Sequence, residues 1–474
     1  MSNTSQASAR INSLLDENSF VEIGAMVRAR ATDFNLNPKD APADGVVTGY
    51  GQIDGRLVYV YSQDSSVLGG SIGEMHAKKI VELYEMAMKT GAPVIGLIDS
   101  SGLRLQEATD ALNAFGQIYR EQAIASGVIP QISAIFGNCG GGLALFPTLT
   151  DFTFMEKKAR LFVNSPNALD GNYEAKKDTS SADFQSKETG VVDVVADEAQ
   201  IYEKIRELIG LIPSNNMDYA CEESEDDANR LVSDIEGCKE DAGALLSRLS
   251  DNYSFFEVKA DTAKEMAVGF IRLDGLTVGA VANRTAVFDE NGKVSEKFDP
   301  VLTANGCYKA ADFINFCNAF DIPVLTVTNT EGYEATVASE RKISIAVAKL
   351  IYALANADVA KINLITGKAY GSAYVAMNSK ALGADMTFAW KDAVIGMMDA
   401  SLAAKVMYAG EKPEVLKEKA SEYEKLQNSI DSAAARGYVD TVIDAPSTRK
   451  YLIGAFDMLS TKREGRPDKK HGTV

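Results

Sequence analysis

The sequence predicts an α/β protein made of two tandem domains with the same architecture. Strand-like and helix-like segments alternate along the 474 residues. A Pro-Val strand followed by a Gly-rich loop occurs twice, and the two copies lie 230 residues apart. Constant spacing at several positions indicates a tandem duplication. The matched pairs are Pro93 and Pro323, Gly102 and Gly332, Gly137 and Gly367, and Gly141 and Gly371.

Matched hairpins and helices precede the two loops. Each hairpin is predicted by apolar runs around an Asp-Gly turn, at Asp54-Gly55 and again at Asp274-Gly275. Each helix is predicted by apolar residues at spacings of three and four, and it leads into the Pro-Val strand. The predicted hairpins cover residues 44–63 and 266–281, the two helices cover 73–90 and 306–320, and a further exposed helix covers 413–435.

The boundary between the two domains is predicted near residue 235. Ser19–Ile23 has a counterpart in Ser254–Val258, so the second copy starts shortly before residue 250. The acidic run at 221–227 is most simply a solvated linker. We therefore assign residues 1–235 to an N-terminal domain and residues 236–474 to a C-terminal domain.

Composition excludes several classes of function. The formal charge of −18 argues against binding of a phosphate backbone, which needs clustered Lys and Arg. Hydrophobic residues make up 46% of the chain, enough for substantial cores. The polar start at Met1-Ser2-Asn3-Thr4 carries no apolar signal segment, and no apolar run has membrane-spanning length. We expect a cytoplasmic protein without direct membrane insertion and without a nucleic-acid partner.

Cysteine and histidine usage predicts neither a metal site nor a Ser-His-Asp triad, because metal-ligand spacing is missing. Cys139 lies inside the first Gly-rich loop, yet no histidine accompanies it in sequence, so packing is its expected role. His76, early in a predicted helix, is expected to be structural. The residues concerned are Cys139, Cys221, Cys238, Cys307, Cys317, His76 and His471.

The two Gly-rich loops are the candidate catalytic elements. Each follows an apolar run, at 132–136 or at 362–366, and precedes a helix-compatible stretch. Such a turn presents backbone N–H groups at a helix N-terminus, where they can bind an oxyanion. Glycines also occur at such turns merely because strand and helix pack closely. The fixed spacing favours duplicated architecture first and paired function second. Two oxyanion holes suit a reaction between two carbonyl-bearing substrates.

Several motifs across nearly the whole chain resemble one known family. The sequence is similar to the carboxyltransferase subunits of biotin-dependent acyl-CoA carboxylases, of the propionyl-CoA carboxylase β type, and to related acyl-CoA decarboxylase subunits. The motifs that carry the resemblance are Asp44-Gly45-Val46-Val47-Thr48-Gly49, Gly69-Gly70-Ser71-Ile72-Gly73-Glu74, Gly127-Val128-Ile129-Pro130-Gln131-Ile132-Ser133, Leu211-Ile212-Pro213-Ser214-Asn215-Asn216, Lys368-Ala369-Tyr370-Gly371-Ser372-Ala373-Tyr374, Arg436-Gly437-Tyr438-Val439-Asp440 and Lys469-Lys470-His471-Gly472.

The resemblance implies a fold and an assembly. It implies two tandem crotonase-like domains, each a ββα superhelix of the ClpP/crotonase type. The N-terminal domain would serve the acyl-CoA and the C-terminal domain would serve biotin. Active sites would lie where the N-terminal domain of one subunit meets the C-terminal domain of another, within a homohexamer.

The resemblance also implies roles for individual residues. Gly141 and Gly142 would hold the acyl thioester oxygen, and Ser372 and Ala373 would hold biotin, as the catalytic groups. The remaining residues would line the substrate sites, with no metal. Those expected to contact the acyl-CoA are Ser101, Gly102, Arg104, Cys139, Gly140 and Val375, and those expected to contact biotin are Tyr370, Gly371 and Tyr374.

The implied reaction needs partners. A carboxyl group would move between carboxybiotin and the α-carbon of an acyl-CoA, through an enolate stabilised by backbone N–H groups. Met88-Lys89 echoes a biotin-attachment pair, but it ends an amphipathic helix, so Lys89 is read as a helix C-terminal cation. Biotin is therefore expected on a separate carrier protein, with a biotin carboxylase as the further partner.

Four features depart from the family pattern. Leu103 stands at a position that is usually small, and Tyr333 stands where the pattern has Phe. Gly371-Ser372-Ala373-Tyr374-Val375 replaces Gly-Gly-Ala-Tyr-Asp, which removes a carboxylate. Residues 170–187 replace the elements that usually follow Asn164-Ser165-Pro166. These changes leave the acyl group and the direction of the reaction open.

Two alternatives remain at this point. The chain is also compatible with the carboxyltransferase subunit of a sodium-pumping acyl-CoA decarboxylase, which runs the same half-reaction in reverse. A crotonase-like scaffold that binds an acyl-CoA or a partner without transferring carboxylate is the third interpretation, which the altered segment after Ser165 keeps open.

Overall fold

Residues 5–32, 41–467, 469 and 472 are described by the computed structural model, so His471 and Lys470 lie outside the described residues. The chain forms two compact units, Met1–Tyr219 and Ala220–Val474. This division precedes the acidic run, whereas the sequence placed it at residue 235. The reason is that the run is attached to the second unit, where the Glu222 N–H donates to the Gly275 carbonyl at 3.1 Å.

One sheet organises the described part of the first unit. Its eight strands are β1 (Val21–Ile23), β2 (Val46–Ile53), β3 (Arg56–Gln63), β4 (Val94–Ser100), β5 (Gln131–Gly140), β6 (Phe152–Glu156), β7 (Arg160–Phe162) and β8 (Val194–Ala196). The order is β1-β2-β3-β4-β5-β6-β8, and β7 pairs with β5. The first three strands are antiparallel, and the sheet is parallel from β3 onward.

Helices cover this sheet and close its core. They are α1 (Gln6–Leu14), α2 (Glu74–Thr90), α3 (Ala108–Ala125), α4 (Leu145–Thr148), α5 (Asn172–Ala175), α6 (Ala182–Lys187) and α7 (Glu198–Leu211). Apolar faces of α2 and α3 pack with strand residues such as Tyr61 and Ile98, all buried. The spacing of apolar residues at three and four along α2 explains both its helical state and its buried face.

The second unit repeats the arrangement. Its strands are β9 (Phe256–Val258), β10 (Met266–Leu273), β11 (Leu276–Asn283), β12 (Ala286–Phe288), β13 (Val294–Lys297), β14 (Val301–Leu302), β15 (Val324–Thr330), β16 (Gly332–Tyr333), β17 (Lys361–Tyr370), β18 (Met386–Trp390), β19 (Val394–Gly396) and β20 (Thr441–Ile443). The main sheet has the order β20-β18-β17-β15-β11-β10-β9, with β19 on β17. The pairs β12-β13 and β14-β16 form two small sheets.

The helices of the second unit are α8 (Ala242–Leu249), α9 (Ala304–Ala319), α10 (Val337–Glu340), α11 (Ile343–Asn356), α12 (Gly371–Ala376), α13 (Ala400–Met407), α14 (Pro413–Tyr423), α15 (Ile430–Ala435) and α16 (Thr448–Leu459). The helix predicted over 413–435 is wrong in its continuity. The chain passes through a π-helical turn at Glu424–Asn428, and the Ser429 hydroxyl caps α15. Asn428 is buried and donates to the Met398 carbonyl at 2.9 Å, which pulls the backbone inward.

The predicted hairpins and the two long helices are confirmed. The turn between β2 and β3 has positive φ at Asp54 and Gly55, and the turn between β10 and β11 repeats this at Asp274 and Gly275. Positive φ at both central residues matches the right-handed strand twist, and Asp-Gly is among the sequences that adopt it most readily. The predicted fold class, α/β with two matched units, is therefore observed.

Candidate active site

The first Gly-rich loop begins where β5 ends. Gly140 is extended, with φ −122° and ψ 157°, and Gly141 is left-handed, with φ +64°. A short 3-10 turn over Gly141–Ala144 then leads into α4. The first N–H groups of such a turn have no acceptor within it. Gly142 is exposed and Gly141 is half-buried, so these donors are available to a ligand.

Close packing explains two of the three glycines. A Cβ on Gly140 would lie 2.6 Å from the Phe162 ring, and a Cβ on Gly142 would lie 3.0 Å from the Tyr119 hydroxyl. Tyr119 Oη donates to the Gly142 carbonyl at 2.6 Å and so fixes the orientation of this peptide. At Gly141 space is open, and the left-handed conformation is the reason for glycine.

The segment after β4 lies against this loop. Ser100 Oγ accepts the Gly102 N–H at 3.0 Å, and a Cβ on Gly102 would lie 3.3 Å from the Gly140 carbonyl oxygen. Ser101 is exposed beside Gly102, which is left-handed with φ +92°. The predicted substrate residues Ser101, Gly102 and Gly140 are thus brought together.

Arg104 has a different position from the one its predicted contact with substrate requires. Its side chain is buried and forms ion pairs with Asp44 and, at 2.9 Å, with Glu107. It also donates to the Ser71 carbonyl at 2.6 Å and to the Ser71 hydroxyl at 3.2 Å. Because the guanidinium is surrounded by partners within the chain, we revise its role to holding the loop that carries Ser101.

Cys139 is also turned away from the loop surface. Its side chain is fully buried, and Sγ contacts the Leu143 carbonyl at 3.5 Å. Burial raises the pKa of the thiol far above its usual range, which keeps it protonated. The side chain therefore packs in the core, as the sequence predicted, and its listing among substrate contacts is limited to the backbone.

The second loop repeats the backbone of the first. Tyr370 is extended, with φ −112° and ψ 140°, Gly371 is left-handed, with φ +61°, and α12 begins there. Its first N–H groups, including that of Ser372, have no acceptor within the helix. A Cβ on Gly371 would lie 3.3 Å from the Met397 carbonyl oxygen. Ser372 is exposed, whereas Ala373 is buried, so only the backbone of Ala373 is suited to ligand binding.

A polar cavity of about 450 Å³ borders this loop. The segment after β15 contributes Glu331 to it, and Glu331 pairs with Lys368 at 2.7 Å. The adjacent Gly332 has open space around it, and Tyr333 Oη donates to Ser372 Oγ at 3.1 Å. The wall beside the second loop is therefore lined by charged and hydroxyl groups.

The aromatic residues of the second loop are largely covered. Tyr370 is 6% exposed, and Tyr374 packs against the buried cluster around Ile365. Burial raises the pKa of both phenols, so both keep their protons near neutral pH. Val375 is 39% exposed at the surface of α12. The predicted contacts of Tyr370, Tyr374 and Val375 with ligands stay predictions.

Sequence reasoning missed two residues behind the loops. A Cβ on Gly137 would lie 2.0 Å from the Asp99 carboxylate, and a Cβ on Gly367 would lie 2.4 Å from the Asn329 amide oxygen. Asp99 pairs with Arg10 at 3.1 Å, while Asn329 accepts a backbone N–H at 3.1 Å. Both sit one residue before the end of their strand, at the same 230-residue spacing, which was the signal available in the sequence.

The comparisons with known proteins follow from this geometry. The family described as carboxyl transferase domain matches residues 3–474. The chain belongs to this carboxyltransferase family. It is 39% identical to the methylmalonyl-CoA decarboxylase subunit alpha of Propionigenium modestum, covering 99% of this chain and 92% of that protein. It is 38% identical to the propionyl-CoA carboxylase beta chain of Roseobacter denitrificans, with 99% and 93% coverage.

Structural similarity agrees with the family. The transcarboxylase 12S structure with hydrolysed methylmalonyl-coenzyme A bound, described as a hexamer assembly, superimposes with a TM-score of 0.90. It is 37% identical and covers 98% of this chain and 92% of that one. The carboxyltransferase has the crotonase fold in two tandem units, and the predicted family, fold and enzyme class are confirmed.

Two searches of the described residues found nothing. No group of three or more His, Cys, Asp or Glu side chains is arranged to hold a metal ion in the part of the chain that the structure describes. Within the same residues, no helix is both long enough and apolar enough to span a membrane.

Proposed function

We propose that this carboxyltransferase moves a carboxyl group between biotin on a separate carrier protein and the α-carbon of a short acyl-CoA. The observation that carries the proposal is the pair of matched loops. Each has a left-handed glycine, Gly141 or Gly371, followed by the unpaired N–H groups of a helical turn. The relatives named propionyl-CoA carboxylase and methylmalonyl-CoA decarboxylase support a short acyl group.

The first loop serves the thioester. When the α-proton leaves the acyl-CoA, negative charge moves to the thioester oxygen, and the N–H groups of Gly141 and Gly142 stabilise it. A donor about 2.7–3.1 Å from such an oxygen contributes roughly 2.7–4 kcal/mol. Because these donors are backbone groups, they keep their positions without a titrating side chain. The Tyr119 contact to the Gly142 carbonyl at 2.6 Å supports this rigidity.

The second loop fits a neutral, planar urea. Biotin, when bound, supplies the carboxyl group and a ureido oxygen that accepts hydrogen bonds. The N–H groups of Ser372 and Ala373 are donors of the right kind, and the open space beside Gly332 admits a ring. Tyr370 and Gly371 would form the loop wall, with Tyr374 beneath it.

The proposed assembly is a homo-oligomer, and the hexamer of transcarboxylase 12S supports six chains. In this proposal the first loop of one subunit completes a site with the second loop of another. A biotin carboxylase and a biotin carrier would be the partners. Light scattering that finds a stable, fully active monomer would overturn this assembly.

The reaction is tested by carboxyl exchange. Purified protein is mixed with biotinylated carrier protein and a panel of acetyl-, propionyl- and butyryl-CoA and their carboxylated forms, and label transfer is followed in both directions. We expect exchange, fastest with propionyl-CoA. If acyl-CoA binds but no carboxyl group is exchanged, the non-catalytic scaffold replaces this proposal.

The direction has a second candidate. Two relatives at 39% identity are methylmalonyl-CoA decarboxylase subunits, which favours the decarboxylase alternative as much as the carboxylase. The half-reaction of this chain is the same in both. Co-purification of the native complex distinguishes them, because a biotin carboxylase subunit indicates synthesis and a membrane decarboxylase subunit indicates the sodium pump.

A further inference from the structure

Two hydroxyl groups meet at the second loop. Tyr333 Oη donates to Ser372 Oγ at 3.1 Å. Both residues are departures from the family pattern, which has Phe and Gly at these positions. The structure therefore brings two independent departures into one hydrogen bond. The first loop has no counterpart, because Leu103 and Gly142 occupy the positions 230 residues earlier.

Tyr333 is held by backbone contacts on a rigid element. It lies on β16, where it pairs with Leu302 of β14. The residue two positions before it, Glu331, donates its N–H to the Pro300 carbonyl at 2.7 Å and pairs with Lys368 at 2.7 Å. Burial raises the pKa of the Tyr333 phenol, which therefore stays protonated and able to donate. The position of its hydroxyl is set by these contacts.

Ser372 has a hydrogen to donate in turn. A serine hydroxyl carries one donor and two acceptor lone pairs, and Tyr333 occupies one lone pair. In the part of the chain that the structure describes, no acceptor for the Ser372 hydroxyl hydrogen is found. Ser372 is exposed in the first turn of α12, next to its own N–H. One residue thus offers two donors at the second loop.

We propose that the Ser372 hydroxyl, oriented by Tyr333, donates a hydrogen bond to the ureido oxygen of biotin at the second loop. This inference rests on the proposed function. Ser372 contacts the cofactor, and Tyr333 is a positioning residue. The second hole then differs from the first by one side-chain donor, which selects a urea over a thioester at this loop.

Direct binding of biocytin, the free lysine amide of biotin, tests the proposal without turnover. Titrations use the full-length protein as wild type, Ser372→Ala, Ser372→Thr, Tyr333→Phe and the double variant Tyr333→Phe/Ser372→Ala. We expect Ser372→Ala and Tyr333→Phe each to weaken biocytin binding about 3–10-fold, the size of one hydrogen bond. The double variant should bind no more weakly than Ser372→Ala, and Ser372→Thr should restore most of the affinity.

Controls separate this inference from a general defect. Propionyl-CoA affinity should stay within about twofold in every variant, and Tyr253→Phe, at an exposed tyrosine, should bind biocytin like wild type. Wild-type affinity in Ser372→Ala, or additive losses in the double variant, would overturn the inference and leave the proposed function standing. A wild-type protein that binds propionyl-CoA but no biocytin would overturn both.

Discussion

The two units hold the same backbone turn with different side chains. In the first unit Leu103 forms a parallel bridge to Ile72, and in the second Tyr333 forms one to Leu302, again 230 residues on. The first segment is anchored by the buried Arg104 cluster. The second is anchored by the Lys368–Glu331 pair, whose side chains are 48% and 40% exposed.

This difference shows where the duplicated function resides. The left-handed glycines and helical turns match between the units, whereas the residues around them have diverged. A hole built from backbone N–H groups needs only the turn, so its supports are free to change. Variants of the turn should therefore be equally severe in both units, and variants of the supports should be unequal.

The carboxylates at the start of the central strands show the same divergence. Asp151 accepts the Gln131 N–H at 2.8 Å, and Asp385 accepts the Lys361 N–H at 2.8 Å. Asp385 also pairs with Lys462 at 2.8 Å. For Asp151, burial raises the pKa to about 7, and the nearby Asp193 raises it further. The second unit thus keeps its carboxylate charged with a cation that stands beside it.

The largest expected difference between the units concerns their anchors. Arg104→Met leaves Asp44 and Glu107 buried without their cation, so the free energy of unfolding should fall by about 3–5 kcal/mol. Lys368→Met removes an exposed pair and should cost less than about 1 kcal/mol. Denaturant unfolding of both variants measures this. Equal losses would contradict the contrast between the anchors, and a stable Arg104→Met protein with raised KM for acyl-CoA would restore the predicted substrate contact.

Proline in either turn should abolish most turnover. Gly142→Pro and Ser372→Pro each remove one N–H donor and distort the turn. Carboxyl exchange should fall at least ~100-fold in both, the size expected for one lost oxyanion donor. Cys139→Ser is the control and should stay within a few-fold of wild type. If either proline variant is folded and nearly as active as wild type, that loop is not a hole.

The two sheet carboxylates should respond differently to pH. Because the pKa of Asp151 is raised from 3.8 to about 7 on folding, the folded state binds its proton more tightly. The free energy of unfolding then falls as pH rises through this window and is level above it. Even half of that shift amounts to about 2 kcal/mol.

Asp151→Asn keeps an acceptor for the Gln131 N–H and removes the charge, so it should flatten this fall. Denaturant unfolding at about pH 5 and about pH 8 measures the change. Asp385→Asn is the matched variant and should lower stability at both pH values, because Lys462 loses its partner. An unchanged pH slope in Asp151→Asn would mean that Asp151 is charged throughout.

The smallest expected effect concerns acyl selectivity. Val375 is 39% exposed, and its counterpart Leu145 in the first unit is 41% exposed. If Val375 borders the acyl pocket, Val375→Asp should change the ratio of kcat/KM between butyryl- and acetyl-CoA by about 1 kcal/mol, the lower end for a methylene-sized contact. Leu145→Asp is the matched control. A lower rate with an unchanged ratio would place selectivity elsewhere, at Leu103 or residues 165–187.

Much of the fold was predictable because its signals are local. The Asp54-Gly55 and Asp274-Gly275 turns, the amphipathic helices and the 230-residue repeat are properties of short windows or of spacing. The break after Tyr423 was not predictable, because Glu, Lys and Ala favour helix throughout 413–435. A distant contact, from buried Asn428 to Met398, decides it.

The sequence by itself determined the duplicated α/β architecture, the family, and the two Gly-rich loops with their left-handed Gly141 and Gly371. Tertiary structure alone decided what the side chains near those loops do. It turned Arg104 and Cys139 inward, put Asp99 and Asn329 behind the loops, and brought Tyr333 to Ser372. The physical reason is that backbone turns depend on local dihedral preferences, whereas burial and hydrogen bonding of a side chain depend on residues distant in sequence.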